Sequence, residues 1–572
     1  MDLEAEERAL GNWPRRLLHV PTLTSHAWQP GNVYGSVQEP KYNAITYTWG
    51  RWRLSGEQLP HVRPVPISID GDEWPIPRVD PKHFTAEEFK NLIRAAAKLP
   101  ANFRDPDPVE FIWLDIACIH QRDDPRSAAE IGRQAVIFHG AKAVFVWLTT
   151  HGHQQLERIM KDLSIVMGES PSEHTPRYLQ AIKNLPVLLN DPWFSSLWTL
   201  QEAFLRHDAH VLSREARLVA RLTGGHPPIT IHTCTLSDLL TLCSYWKNAC
   251  ARVSASPLTE EKDYEAAIRL IEERGLSALY SRQELHIYIA AQSRTATRSE
   301  DRIYGIQQIF GLRLGNTAPV ASGKVFNFIQ LEAQLAKTLL LQYPIQSQMH
   351  VFRSHVPPRA RWRVQPCSQT LSEDLCPTPR ILDEGSVKGE DSSVVVHCRF
   401  FLDHHSHTPK ALSFAGRMSP FPRLRERWNR IGRRMAWIRS HGLDDGSHNG
   451  ECLDPLYVQL DVADELPGAP HPGTDSIEVI RWLLQMCPDD QLQVLLLGFG
   501  LSWRTKGHYQ DGMYGLLMLR HQEQWARVGV CQWSSQFDWT SPDLGMGDDD
   551  KEFLRGYGEG WTEQSGIFGY VD

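Results

Sequence analysis

The sequence predicts an α/β protein organised around a parallel sheet, followed by a helical region and a mixed α+β region. Phe111–Leu114 (FIWL) is a short unbroken run of large apolar residues that stops at Asp115. Val144–Leu148 (VFVWL) is a second such run. Between them, Ser127–Ala141 places Ile131, Ala135 and Phe138 on one side of a helix. Uninterrupted apolar runs of this length suit strands buried on both faces. Strand, helix and strand in this order form a βαβ unit with a right-handed crossover.

The chain before and after this unit follows in order. Residues 1–36 read as a lead-in of mixed character, rich in turns near Gln29–Gly35. Tyr42–Gly50 (YNAITYTWG) alternates and ends on glycine, as a strand meeting a loop does. Val65–Arg78 is a hairpin candidate because Asp70-Gly71 suits a two-residue turn. Thr85 and Glu88 make a capping box, and Phe89, Leu92, Ile93, Ala96 and Ala97 recur behind it at helical spacing. Leu156–Met167 and Tyr178–Leu189 are helical stretches. Asp191 as N-cap and Pro192 at the first helical position open a further helix. Its inward stripe is Trp193, Leu197, Leu200 and Phe204, with Ser195, Trp198 and Glu202 on the adjoining stripe. Residues 207–345 read as mainly helical. Residues 346–390, rich in Pro, Ser and Cys, resemble a linker. Residues 391–572 read as a mixed α+β domain that includes a basic helix at Leu424–Arg439 and a solvated acidic loop, GMGDDDKEF.

Composition narrows the function. The net charge is −8 over 572 residues and no long basic run occurs, so nucleic acid is not an expected partner. The start of the chain is acidic and has no apolar core, unlike a secretory signal. Val494–Leu501 is too short to cross a bilayer, and no membrane span is expected. Ten cysteines without a CxxC pair favour reduced thiols in a cytoplasmic protein.

The chemistry-bearing residues are few. No GxGxxG follows a strand, and neither a GxxxxGK[ST] loop nor a GxSxG elbow occurs. His397–His407 (HCRFFLDHHSH) holds residue types that bind zinc, at a spacing that matches no closed site; the other reading is a His-rich surface turn, and no metal is expected. Asp115 stands at the carboxyl end of a central strand, where open α/β sheets place ligands. Alternatively it caps the next turn. Glu202, early in its helix and on one stripe with Trp198 and Ser195, can hold a sugar hydroxyl or stabilise an oxocarbenium-like centre. Desolvation by the indole would raise its pKa. The alternative is that it only complements the helix dipole.

Four segments then occur together and in order: YNAITYTWG, FIWLDIACIHQRD, IFHGAKAVFVWL and DPWFSSLWTLQEAF. They resemble the fungal heterokaryon incompatibility (HET) domain over residues 42–206, and RTATRSEDRIYG resembles the segment that often follows it. The resemblance sets a domain at 37–206. Four positions depart from the family pattern: His120 where Asn or Asp is usual, Glu130 and Gln134 where Gln and Met are common, and Ser196 where Arg is common. HET domains are thought to be related to Toll/interleukin-1 receptor (TIR) domains, which implies a flavodoxin-like parallel sheet with helices on both faces. Trp198–Glu202 is similar to the Trp-x-x-x-Glu segment of plant TIR domains, whose Glu supports cleavage of NAD⁺ between nicotinamide and ribose. By that likeness Glu202 is the candidate catalytic residue, with Asp115, Trp198, Ser195, Trp49 and Gln121 as substrate-binding candidates. NAD⁺ is then a substrate and no cofactor is expected. The resemblance implies an effector of non-self recognition and programmed cell death that works by regulated self-association, with an unknown protein partner met through the C-terminal region. Two alternatives stand beside it: an NAD⁺ glycohydrolase using Glu202, and a non-catalytic interaction module.

Overall fold

A computed structural model describes residues 3–571 except 72–73, 100–106, 123, 166–175, 224–229, 255–261, 283, 366, 372–394, 403–409, 441–455, 472–473, 488–490, 504–508, 522–523 and 535–547. The chain divides into two compact units, Met1–Leu331 and Glu332–Asp572. Among the described residues no helix is long and apolar enough to cross a membrane, and the eight described cysteines are free thiols.

The first unit is built on a nine-stranded mixed sheet. Its strands are β1 (Arg16–His19), β2 (Thr24–Gln29), β3 (Val33–Tyr34), β4 (Val37–Gln38), β5 (Tyr42–Thr46), β6 (Ser68–Ile69), β7 (Phe111–Trp113), β8 (Val144–Trp147) and β9 (His210–Leu212). They lie in the order β4-β3-β2-β1-β7-β5-β8-β9, with β6 alongside β2. β7, β5, β8 and β9 run parallel to one another. β7, β5 and β8 are buried along their whole length, as their apolar runs require.

The rest of the sheet departs from the all-parallel expectation. β1 pairs antiparallel with β7, and β2, β3 and β4 continue antiparallel from it. The stretch that reads as a lead-in therefore extends the sheet. Its strands are two to six residues long, too short to show a period. The hairpin expected at Val65–Arg78 is also replaced. Ser68 and Ile69 leave to pair parallel with Thr24 and Ser25 of β2.

Local signals fare better. The Thr85–Glu88 capping box forms, and the helix Ala86–Lys98 buries Phe89, Leu92, Ile93, Ala96 and Ala97. The single helix expected over Ser127–Ala141 is two helices, Pro125–Ile131 and Gln134–Gly140.

The second unit is an eight-stranded sheet that closes on itself. Lys410–Pro420 pairs with both Thr562–Val571 and Leu492–Trp503. Leu492–Trp503 continues through Tyr509–His521 to Gln524–Ser534, which meets Thr562–Val571 in one parallel pairing. Each of these five strands thus has at least two partners around the closure. Phe421–Ser440 is the basic helix the sequence predicts. The linker-like stretch is structured where it is described: His350–Phe352 pairs antiparallel with Ser368–Thr370, and Val351 and Trp362 are buried; residues 372–390 lie outside the described residues. The expected acidic loop GMGDDDKEF instead runs into a helix, Asp548–Leu554, with its first three residues outside the described ones.

Candidate functional site

Strand register decides where the chemistry gathers. β5 and β7 are parallel, with Ala44 opposite Trp113. Two residues further along each strand come Thr46 and Asp115, so both reach the same carboxyl rim of the sheet. Thr46 ends β5, and the chain turns through Tyr47–Trp49 into a short 3₁₀ turn at Gly50–Trp52. Asp115 opens the helical turn Asp115–Cys118.

Asp115 stands at the carboxyl end of its strand and also caps the turn that follows. Its Oδ1 accepts the Ile116 N–H at 2.7 Å, as a local cap does. Its Oδ2 accepts the Trp49 indole N–H at 2.6 Å. Burial pushes the Asp115 carboxyl up, opposed by the hydrogen bonds from Trp49 and Ile116. Burial, reinforced by the Asp115 charge, also raises the Tyr47 phenol well above its ordinary value.

Glu202 arrives from the other side. The helix expected from Asp191 onward is broken into Pro192–Ser195 and Trp198–Leu205. The cap itself forms: Asp191 accepts the Trp193 N–H at 2.9 Å. Ser196 is extended and bridges to Thr295. The Thr295 N–H donates to the Ser195 carbonyl at 2.8 Å, and the Leu197 N–H donates to the Thr295 carbonyl at 3.0 Å. Those two groups are thereby removed from any continuous helix. Ser195 is consequently separated from the Trp198/Glu202 stripe. Its hydroxyl accepts from Arg51 at 3.1 Å.

The Glu202 carboxylate accepts the Thr46 hydroxyl proton. The Thr46 oxygen in turn accepts the Trp193 indole N–H at 2.9 Å, which fixes the direction of the relay. Burial raises Glu202 to about 8; Thr46 opposes the shift and the Asp115 charge adds to it.

One cavity of about 500 Å³ is lined by Trp49, Asp115, Gln121, Trp198 and Glu202 together. Gln121 is held at its edge by donating to the Asp115 and Ile119 carbonyls at 3.1 and 2.8 Å. Five of the six residues singled out from sequence thus share one concave site, with Ser195 outside it. Arg51, Arg53, Arg122 and Arg298 also line it. Trp52 stacks on His83 with ring centroids 3.7 Å apart, and the Arg51 guanidinium lies 4.8 Å above Trp52.

Residues 42–202 match the model of a family described as Heterokaryon incompatibility protein (HET). The chain carries a HET domain. No curated protein and no solved structure matches the chain. The HET domain supplies every carboxylate of the cavity. The remaining wall, Thr295–Arg298, comes from beyond the matched span. It is fastened by Arg294, fully buried, which donates to the Arg274 carbonyl at 2.6 Å, the Ser196 carbonyl at 2.9 Å and the Thr199 hydroxyl at 3.2 Å.

Sequence reasoning missed Thr46, Arg294 and the rim arginines as parts of the site. The segment RTATRSEDRIYG was the one available signal for Arg294. Nothing local marks Thr46, whose role depends on a residue in a distant helix. The His-rich stretch from 403 to 407 lies outside the described residues.

Proposed function

We propose that this HET-domain chain is an effector of fungal non-self recognition and programmed cell death, and that its output is cleavage of NAD⁺ to nicotinamide and ADP-ribose. The observation that carries the enzymatic part is the convergence of Glu202, Asp115 and Trp198 on one concave site at the carboxyl rim of the sheet. The flavodoxin-like, TIR-related reading agrees with the parallel strands, whose order β7-β5-β8-β9 is second, first, third, fourth along the chain.

In this reading Glu202 holds the ribose hydroxyls and, as a carboxylate, stabilises positive charge developing at C1′. The bond from C1′ to the nicotinamide nitrogen breaks with its electron pair going to nicotinamide, which leaves neutral. Water adds at C1′ and releases a proton. The free site holds Glu202 largely protonated at neutral pH, because its raised pKa is about 8. The pyridinium charge of the substrate favours the carboxylate when bound. Trp198 supplies an aromatic wall, and Asp115 orients Trp49 through the indole N–H. The raised carboxyl makes the site sensitive to assembly, since anything that closes the cavity alters its desolvation.

The test is nicotinamide release from NAD⁺ by the full chain, dilute and in assembled samples. Release that falls at least about 100-fold in Glu202→Gln is expected. No release from an assembled sample sinks the enzymatic reading. The other reading, an adaptor that signals by self-association alone through the same domain, then stands. It predicts dose-dependent toxicity on expression that survives Glu202→Gln.

A further inference from the structure

A second cavity, of about 300 Å³, lies next to the first and shares two of its lining residues, His120 and Arg122. It is bounded by β1, β2 and the loop that follows β7, and carries Arg15, Arg16, Trp28, Trp74 and Arg126. Three acids also face it, and each has a partner. Glu6 pairs with Arg15. Asp124 pairs with His120 and accepts the Ser127 N–H at 2.8 Å. Glu130 accepts the Arg15 N–H at 2.9 Å.

One donor is not accounted for. The Trp74 indole N–H has no hydrogen-bond partner among the described residues, although Trp74 is only 5% exposed. A buried N–H left unpaired costs roughly 1–3 kcal/mol, so an acceptor is called for at this wall. The ring is held in place. The Arg16 guanidinium lies 5.1 Å over it, and His120 meets it edge-on at 5.1 Å. Arg16 is fixed by the Ser25 hydroxyl and carbonyl at 3.1 and 2.6 Å and by the Asp70 carbonyl at 2.5 Å.

We infer that the two cavities are halves of one elongated dinucleotide site. The larger takes the nicotinamide riboside end, and the smaller takes the adenylate end. Resting on the reading of the larger cavity as an NAD⁺ site, this deepens it by assigning the adenylate half of that substrate to the smaller cavity, beyond the residues that meet the reacting bond. Arg122, at the shared wall, meets the pyrophosphate, since a guanidinium forks onto phosphate oxygens. Trp74 donates to a ring nitrogen of the base, and Arg126 adds charge at the mouth. A ligand with acceptors on a flat ring and anionic oxygens one linker away fits this order of groups.

The experiment separates the inference from the reading it rests on. Nicotinamide release by the full chain is measured with NAD⁺ and with nicotinamide mononucleotide, which lacks the adenylate. ADP binding is measured separately by calorimetry. The inference expects kcat/KM at least about tenfold higher for NAD⁺, and about tenfold weaker ADP binding in Trp74→Phe, with Glu202→Gln binding ADP as the parent does. Arg126→Ala, at a side chain 60% exposed, covers the case in which Trp74→Phe fails to fold, and should lower the ratio of NAD⁺ to mononucleotide use. Equal use of both substrates, or ADP binding indifferent to both variants, overturns the inference while leaving cleavage intact. ADP binding sensitive to Trp74 without any nicotinamide release supports the adenylate end and overturns the cleavage reading alone.

Discussion

Burying Glu202 has a thermodynamic consequence that can be measured apart from activity. Its folded pKa, raised to about 8, exceeds the ordinary value of 4.5. Between those values the folded state binds more protons than the unfolded state, so stability falls as pH rises through that window. Its favourable contribution is fully present below 4.5 and is lost as pH rises through about 8. Glu202→Gln, which stays neutral, should therefore be more stable than the parent at pH 9, by up to roughly 5 kcal/mol. That advantage should shrink toward acid, and urea denaturation at several pH values would read it. The same carboxyl sets the pH profile. In the free protein kcat/KM should rise through about pH 8, and the rise in kcat should lie lower once a cationic substrate is bound. Thr46 is a positioning residue in this scheme. Thr46→Val removes the hydroxyl that lowers the Glu202 pKa and strands the Trp193 N–H. It should move the rising limb to higher pH and lower kcat about tenfold, and Thr46→Ser should restore both. A shift to lower pH would contradict the relay.

Elements in this protein form where the sequence says they do when the cause is local. The Thr85–Glu88 box and the Asp191–Pro192 start were legible because each is settled within four residues. The break at Ser196 was not, because its cause is Thr295. That single strand bridge moves Ser195 out of the stripe it would share with Glu202. The strands before Tyr42 were hidden for the same reason: β1 exists because β7 offers it an edge. The Glu202, Asp115 and Trp198 grouping was legible from motif order, and Thr46 was not, because register between parallel strands is fixed by the whole sheet. The strap Thr295–Arg298 makes the point testable. Arg294 holds it by bonds to three separate backbone or hydroxyl groups, and a lysine cannot fork to all of them. Arg294→Lys should cost about 2–3 kcal/mol in urea denaturation. It should also raise KM for NAD⁺ more than it lowers kcat, since the strap lines the cavity without carrying a carboxylate. A stability loss with KM unmoved would make the strap a mere brace.

At the scale of the whole chain, the family likeness ends inside the first unit, and the second must be argued from its own core. Its closed sheet carries Asp461 and Arg527, both fully buried, in contact at 3.2 Å. Every arm of the pair is used. Asp461 accepts the Phe352 N–H at 2.9 Å. Arg527 donates to Gln348 at 3.0 Å and to the His350 carbonyl. The Val462 N–H donates to the Phe352 carbonyl at 3.0 Å. The pair therefore pins the strand His350–Phe352 beside Leu456–Leu460, two segments far apart in the chain. Taking both charges from water is expensive, so the pair is weak evidence for stability but strong evidence for a specified arrangement. Removing one partner exposes the cost. Asp461→Asn leaves a buried guanidinium without its counter-charge and should lose about 3–5 kcal/mol. Replacing both residues together, Asp461→Leu with Arg527→Met, should lose much less, because no charge is then stranded. The check is a double-mutant cycle in urea. If the single and double replacements cost the same, the pair is not the pin that sets the register of this sheet.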